Sequence, residues 1–219
     1  MKQKRFLGRK WVYFYFLFLF VISMRIGIQS DTVTVWLINW FSDQSFVFLS
    51  VSAFLFGVAF LSGEWSWARW IRFPNQRAII LFQLKELYQW ALISVGILFL
   101  YVVVGGVGLY GLFPEQIGNL FSIAFRYILA FLIIANFSVI FQFSPRKIWR
   151  YSPTVAVFCI VLLDVLLISP CFYKITGAFV YLIFSWVGYD GFLGPLVMGG
   201  IWLLLLWYLL KISSKRDIL

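Results

Sequence analysis

Asp164 and Arg126 are charged residues set inside long apolar runs, so they are where this chain could do chemistry. A charge at bilayer depth is expensive, so each side chain must face protein or water, or Asp164 must be protonated. Counting along the runs at ~1.5 Å per residue sets the two within one or two helical turns in depth. The spacing predicts an ion pair between neighbouring helices, with a part in substrate passage as the functional alternative. One isolated carboxylate makes a poor proton relay. Asn136, on the same run as Arg126, carries an amide able to bond across helices.

Catalysis is not expected. The chain has no His, which removes the commonest general base and a common metal ligand. Asp164 has no acidic neighbour, Glu64 and Glu86 lie at a membrane edge without further metal ligands, and Ser122 and Ser138 lack a base. No cofactor or metal site is expected. Cys159 and Cys171 stand 12 positions apart on one apparent helix. That is about 18 Å, too far for a disulfide. No GxxxxGK[ST] phosphate-binding loop occurs, so any ATP-driven work needs another chain.

The elements that hold these residues are membrane helices. Of 219 residues, 63% are hydrophobic and 12% charged, and the mean hydropathy is +0.95. A soluble domain carries about a quarter charged residues, and several runs here reach the roughly 20 residues a spanning helix needs. The expected fold class is all-α: a polytopic transmembrane helical bundle forming one integral membrane domain over residues 1–219. Six spans are expected, near 11–27, 45–62, 89–113, 119–143, 154–169 and 193–210. Residues 171–192 are too broken by Gly, Lys and Asp for a confident crossing, and suit a re-entrant or interfacial helix before the last span. The basic start resembles a signal peptide, but Arg25 interrupts it and no convincing cleavage site follows Leu19, so a retained first span is expected.

The formal net charge of +10 is concentrated between the spans. It is read as orienting charge and not as a nucleic-acid surface. Lys2, Arg5, Arg77, Lys85, Arg146 and Lys215 fall on one side of six spans, and Asp31, Asp43, Glu115 and Asp190 on the other. The positive-inside rule then predicts a multi-pass protein of the cell (plasma) membrane with both termini cytoplasmic. Gly105, Gly106, Gly108 and Gly111 in the third span, and Gly199 and Gly200 in the last, are expected to let helices pack closely. No continuous polar stripe of the kind an ion pore needs is present. The 26 Phe and 11 Trp fit a path for lipid-like cargo, or packing and interface anchoring equally well.

One segment interrupts this pattern. WARWIRFPNQRAIILFQLKELYQW, residues 67–90, carries four basic residues between two spans. Its first part has the Trp and Arg content of an interface anchor. Pro74 and Asn75 can open a helix, and RAIILFQLKELYQW continues it along the cytoplasmic surface, bending into the third span. A long turn with snorkelling arginines is the plain alternative to a docking element.

In layout, the chain resembles the membrane subunit of ABC-2-type transporters, in its small bacterial exporter form of the bacteriocin or peptide export and immunity type. The likeness covers the whole chain by topology and about twenty residues by pattern, at RWIRFPNQRAIILFQLKELYQWAL. In that family a coupling helix lies between the second and third spans, and a re-entrant element often precedes the last. The resemblance implies that Arg72, Pro74, Gln76, Arg77 and Lys85 form a coupling surface. It implies as partners a cytosolic ATP-binding cassette subunit, a second copy or sibling permease, and membrane lipid, with no nucleic acid. The implied function is a permease subunit that couples ATP hydrolysis on a separate chain to movement of a peptide or an amphipathic, lipid-like substrate. The alternatives are a stand-alone membrane scaffold or immunity protein, and an ion-coupled carrier using Asp164.

Overall fold

The computed structural model describes residues 76–110, 114–143, 153–167 and 193–215, together with single positions at 17, 21, 40, 50–52, 54, 55, 57, 58 and 174. The continuous stretches form four helices: α1 (Gln76–Tyr110), α2 (Pro114–Gln142), α3 (Pro153–Leu167) and α4 (Leu193–Lys215). Their boundaries follow local chemistry. α2 and α3 each begin on a proline, whose fixed φ suits the first helical turn and whose missing N–H is no loss there. α3 is described as far as Leu167, three positions before Pro170 in the sequence.

This arrangement corrects the six-span expectation. Among the described residues, three helices are long and apolar enough to cross a membrane: Arg77–Gly108, Leu120–Gln142 and Leu193–Ile212. The third expected span does not begin at 89. Its helix starts at Gln76 and runs unbroken for 35 residues, about 52 Å against the ~30 Å of a hydrocarbon core. The helix expected over RAIILFQLKELYQW is present and is one with the span, because no proline or glycine interrupts the backbone ladder there. The fifth expected span, 154–169, is a 15-residue helix, about 22 Å long and short of a crossing. Of the first and second expected spans, only scattered positions are described, all of them helical. The re-entrant element at 171–192 lies outside the described residues apart from Lys174.

α2 is the central helix, packing against α1, α3 and α4. Of the spanning windows, 61% of that on α2 is buried, against 39% on α1 and 17% on α4. An aromatic chain runs through the core. Phe54 stacks on Phe131 at 4.5 Å, Phe131 meets Tyr127 edge-on at 6.3 Å, and Tyr127 meets Phe99 of α1 at 6.0 Å. Outward-facing Leu92, Leu100, Phe121, Leu163 and Leu204 present an apolar exterior, as lipid contact requires.

The glycines expected at close helix crossings divide: Gly106 is buried on α1, whereas others are open. A Cβ on Gly108, Gly199 or Gly200 would meet nothing within 4 Å, so these glycines are not in tight helix crossings. The close contact is at Gly57, against the Trp90 ring.

Candidate functional site

Two features of α1 combine into a candidate site: an exposed cationic side near its start and a polar clamp at Tyr88. Successive residues turn by about 100° on a helix, so positions 77, 81, 82, 85 and 89 share one side. Arg77, Leu81, Phe82, Lys85 and Gln89 are all exposed, whereas Ile79, Ile80, Gln83, Leu84 and Leu87 on the opposite side are buried. The surface is therefore two cations with two large apolar side chains between them. Gln76 opens the helix. Arg72 and Pro74 lie outside the described residues.

The clamp joins three helices through a closed ring of hydrogen bonds. Tyr88 Oη donates to Asn136 Oδ1 at 2.7 Å. Asn136 Nδ2 donates to the Trp202 carbonyl oxygen at 3.4 Å. Trp202 Nε1 donates to Tyr88 Oη at 3.1 Å. Each residue gives one bond and accepts one. Interhelical hydrogen bonds in bilayers average about 0.6 kcal/mol, so the ring contributes roughly 2 kcal/mol. The Tyr88 and Trp202 rings also lie 6.4 Å apart, tilted by 53°.

The register is set by the link at 111–113. Tyr88 precedes Tyr110 by 22 residues, and Asn136 follows Pro114 by 22. The two helices therefore run antiparallel with level register, and the clamp lies about 33 Å from the link, close to one hydrocarbon thickness. Twelve residues of α1, 76–87, continue beyond it, about 18 Å of rigid helix bearing Arg77 and Lys85.

Arg126 and Asp164 are both buried, at 3% and 1% exposure, and both are engaged by their surroundings. They lie on α2 and α3, which pack together. Arg126 lies six residues after the start of the apolar span Leu120–Gln142, about 9 Å into it. Among the described residues, no group of three or more His, Cys, Asp or Glu could hold a metal ion. Cys159 is a free, exposed thiol.

Sequence reasoning singled out Asn136 and passed over Tyr88 and Trp202. The only signal for them was an O–H or N–H on an aromatic ring within an apolar helix. In a chain with 11 Tyr and 11 Trp that signal does not discriminate. At the other end of α4, Lys211 Nζ lies 4.7 Å from the centre of the Trp207 ring, a cation–π contact suited to a membrane border.

No family model matches the chain, and no curated protein or solved structure is significantly similar to it. The chain is a small all-α, membrane-embedded protein with several long apolar helices.

Proposed function

We propose that this chain is the permease subunit of an ATP-driven exporter, docking a separate nucleotide-hydrolysing chain on the Arg77–Lys85 side of α1. The cargo class is a peptide or an amphipathic, lipid-like molecule, consistent with an apolar bundle and the resemblance described above. One observation carries the reading: the exposed cationic stretch is the same unbroken helix as the span holding Tyr88. A force applied at Arg77 or Lys85 would reach α2 and α4 through the clamp with no flexible joint between. In the ABC-2 family the coupling helix is a distinct element between spans; in this chain Gln76, Arg77 and Lys85 lie within α1 itself.

The test is purification from the native membrane in mild detergent. A nucleotide-binding chain should co-purify with the wild-type protein. It should be lost from Arg77→Glu/Lys85→Glu, while the amount of inserted protein is unchanged. Equal recovery of that chain with the double variant removes the docking surface, and its absence from the wild-type preparation removes the exporter reading.

A further inference from the structure

We infer that α4 is a releasable helix, pivoting at Gly199–Gly200 and latched to the α1–α2 pair by Trp202. The latch stands independently of any ATPase partner.

Three observations meet at this point of the fold. The first is that α4 packs along one side only, with Ile201, Trp202, Leu205 and Leu206 against the core. Met198 and Leu209 are buried, but Leu193, Leu196, Leu203, Leu204 and Trp207 all face outward. Between apolar helices in lipid there is no hydrophobic drive to associate, so packing and a few polar contacts decide whether a helix stays docked. The second is how the clamp is distributed. Trp202 reaches the pair with both its indole N–H and its carbonyl oxygen. If α4 departs, the Tyr88–Asn136 bond remains and still ties α1 to α2. Release therefore breaks two bonds together while the pair retains its own bond, the behaviour of a two-position element.

The third observation is the pivot. Gly199 and Gly200 lie immediately before Ile201 and Trp202, and a Cβ at either would meet nothing within 4 Å. Paired glycines are a recognised site of helix bending, and open space on both leaves room for it. Close packing among the described residues does not account for these glycines.

Spin-label distance measurements on the full chain in lipid nanodiscs test the device, with Cys159 and Cys171 replaced by serine. Labels at Leu92 and Leu204, both outward-facing, report α4 against α1. Labels at Leu100 and Phe125, also outward-facing, report α1 against α2. Tyr88→Phe and Trp202→Phe each remove the indole bond, and each should raise a longer-distance population of the first pair roughly threefold. In Trp202→Phe, which leaves the Tyr88–Asn136 bond intact, the second pair should keep its wild-type distribution. Adding Gly199→Ala and Gly200→Ala to Tyr88→Phe should reverse the gain, because alanine fits without a clash and stiffens the pivot. An unchanged 92–204 distribution in both latch variants overturns the inference. So does equal broadening of the 100–125 pair in Trp202→Phe, which would mean that the whole bundle loosens. Failure of the alanine pair to reverse the gain removes the pivot.

Discussion

The Trp90 ring occupies the space that any side chain at position 57 would need. A Cβ built on Gly57 overlaps the Trp90 indole, and the same indole donates from Nε1 to the carbonyl oxygen of Phe54 at 3.2 Å. Phe54 in turn stacks on Phe131 of α2. The glycine is therefore needed for access: its missing side chain lets α1 approach the 54–58 segment closely enough for the bond to form.

Gly57→Ala should consequently lower stability by about 1–3 kcal/mol, the range for overpacking a filled core. Thermal unfolding in detergent checks this. Trp90→Phe removes ring volume and one hydrogen bond, so it is destabilising alone yet should relieve part of the alanine clash. The double variant should be more stable than the sum of the two single losses allows.

Breaking the clamp at Asn136 or at Tyr88 should have similar effects, because each residue holds two of its three bonds. Asn136→Leu strips Tyr88 Oη of its acceptor and the Trp202 carbonyl of a donor. Tyr88→Phe also removes two bonds and leaves Asn136 able to reach Trp202, just as Asn136→Leu leaves the indole bond from Trp202 to Tyr88. A double-mutant cycle between Tyr88→Phe and Asn136→Leu should give a coupling of about 0.6 kcal/mol and no more than ~1.7 kcal/mol, the span known for bonds between membrane helices. A coupling near zero would remove the energetic role of the ring.

Arg126 and Asp164 call for a different comparison. Both are almost fully buried on helices that pack together, and isolated buried ions cost several kcal/mol each. If they neutralise one another, Arg126→Met or Asp164→Leu alone should lose about 3–5 kcal/mol, because each strands the other charge. The combined Arg126→Met/Asp164→Leu variant should lose much less than the sum. Denaturant unfolding of the three variants decides it, and additive losses would mean that the two charges are balanced by other groups.

How far the sequence revealed these features depended on whether they were local. Apolar runs located α2 closely, at 119–143 against Pro114–Gln142, and α4, at 193–210 against Leu193–Lys215. Hydropathy measures how oily a stretch is, not where its backbone ladder ends. It therefore set the start of the third span at 89, although the helix expected over RAIILFQLKELYQW runs into it without a break, and it counted as a span the run that forms the 15-residue α3. Asn136 was legible because an amide in an apolar helix needs a partner wherever it lies. Its partners were not, because joining positions 88, 136 and 202 requires the register among three helices. Gly57 was equally silent, since its role depends on a ring 33 positions away.

Gln83 is the residue whose replacement should strengthen the fold. It is 1% exposed on the buried side of α1, and neither Oε1 nor Nε2 makes a hydrogen bond. An amide in that position keeps its desolvation penalty with no compensating bond, about 1–3 kcal/mol. Leucine has similar volume and good helix propensity, and it matches its neighbours Ile80, Leu84 and Leu87 on that side. Gln83→Leu should therefore raise the unfolding midpoint, with the variant still inserting and purifying as the wild type does. Gln83→Glu should lower it, because a carboxylate at the same site needs a partner even more than the amide does. A fall in both variants would show that the native amide is satisfied in the membrane by a group from outside this chain. Position 83 lies between Arg77 and Tyr88 on α1, so such a group would bear directly on the proposed docking end of the helix.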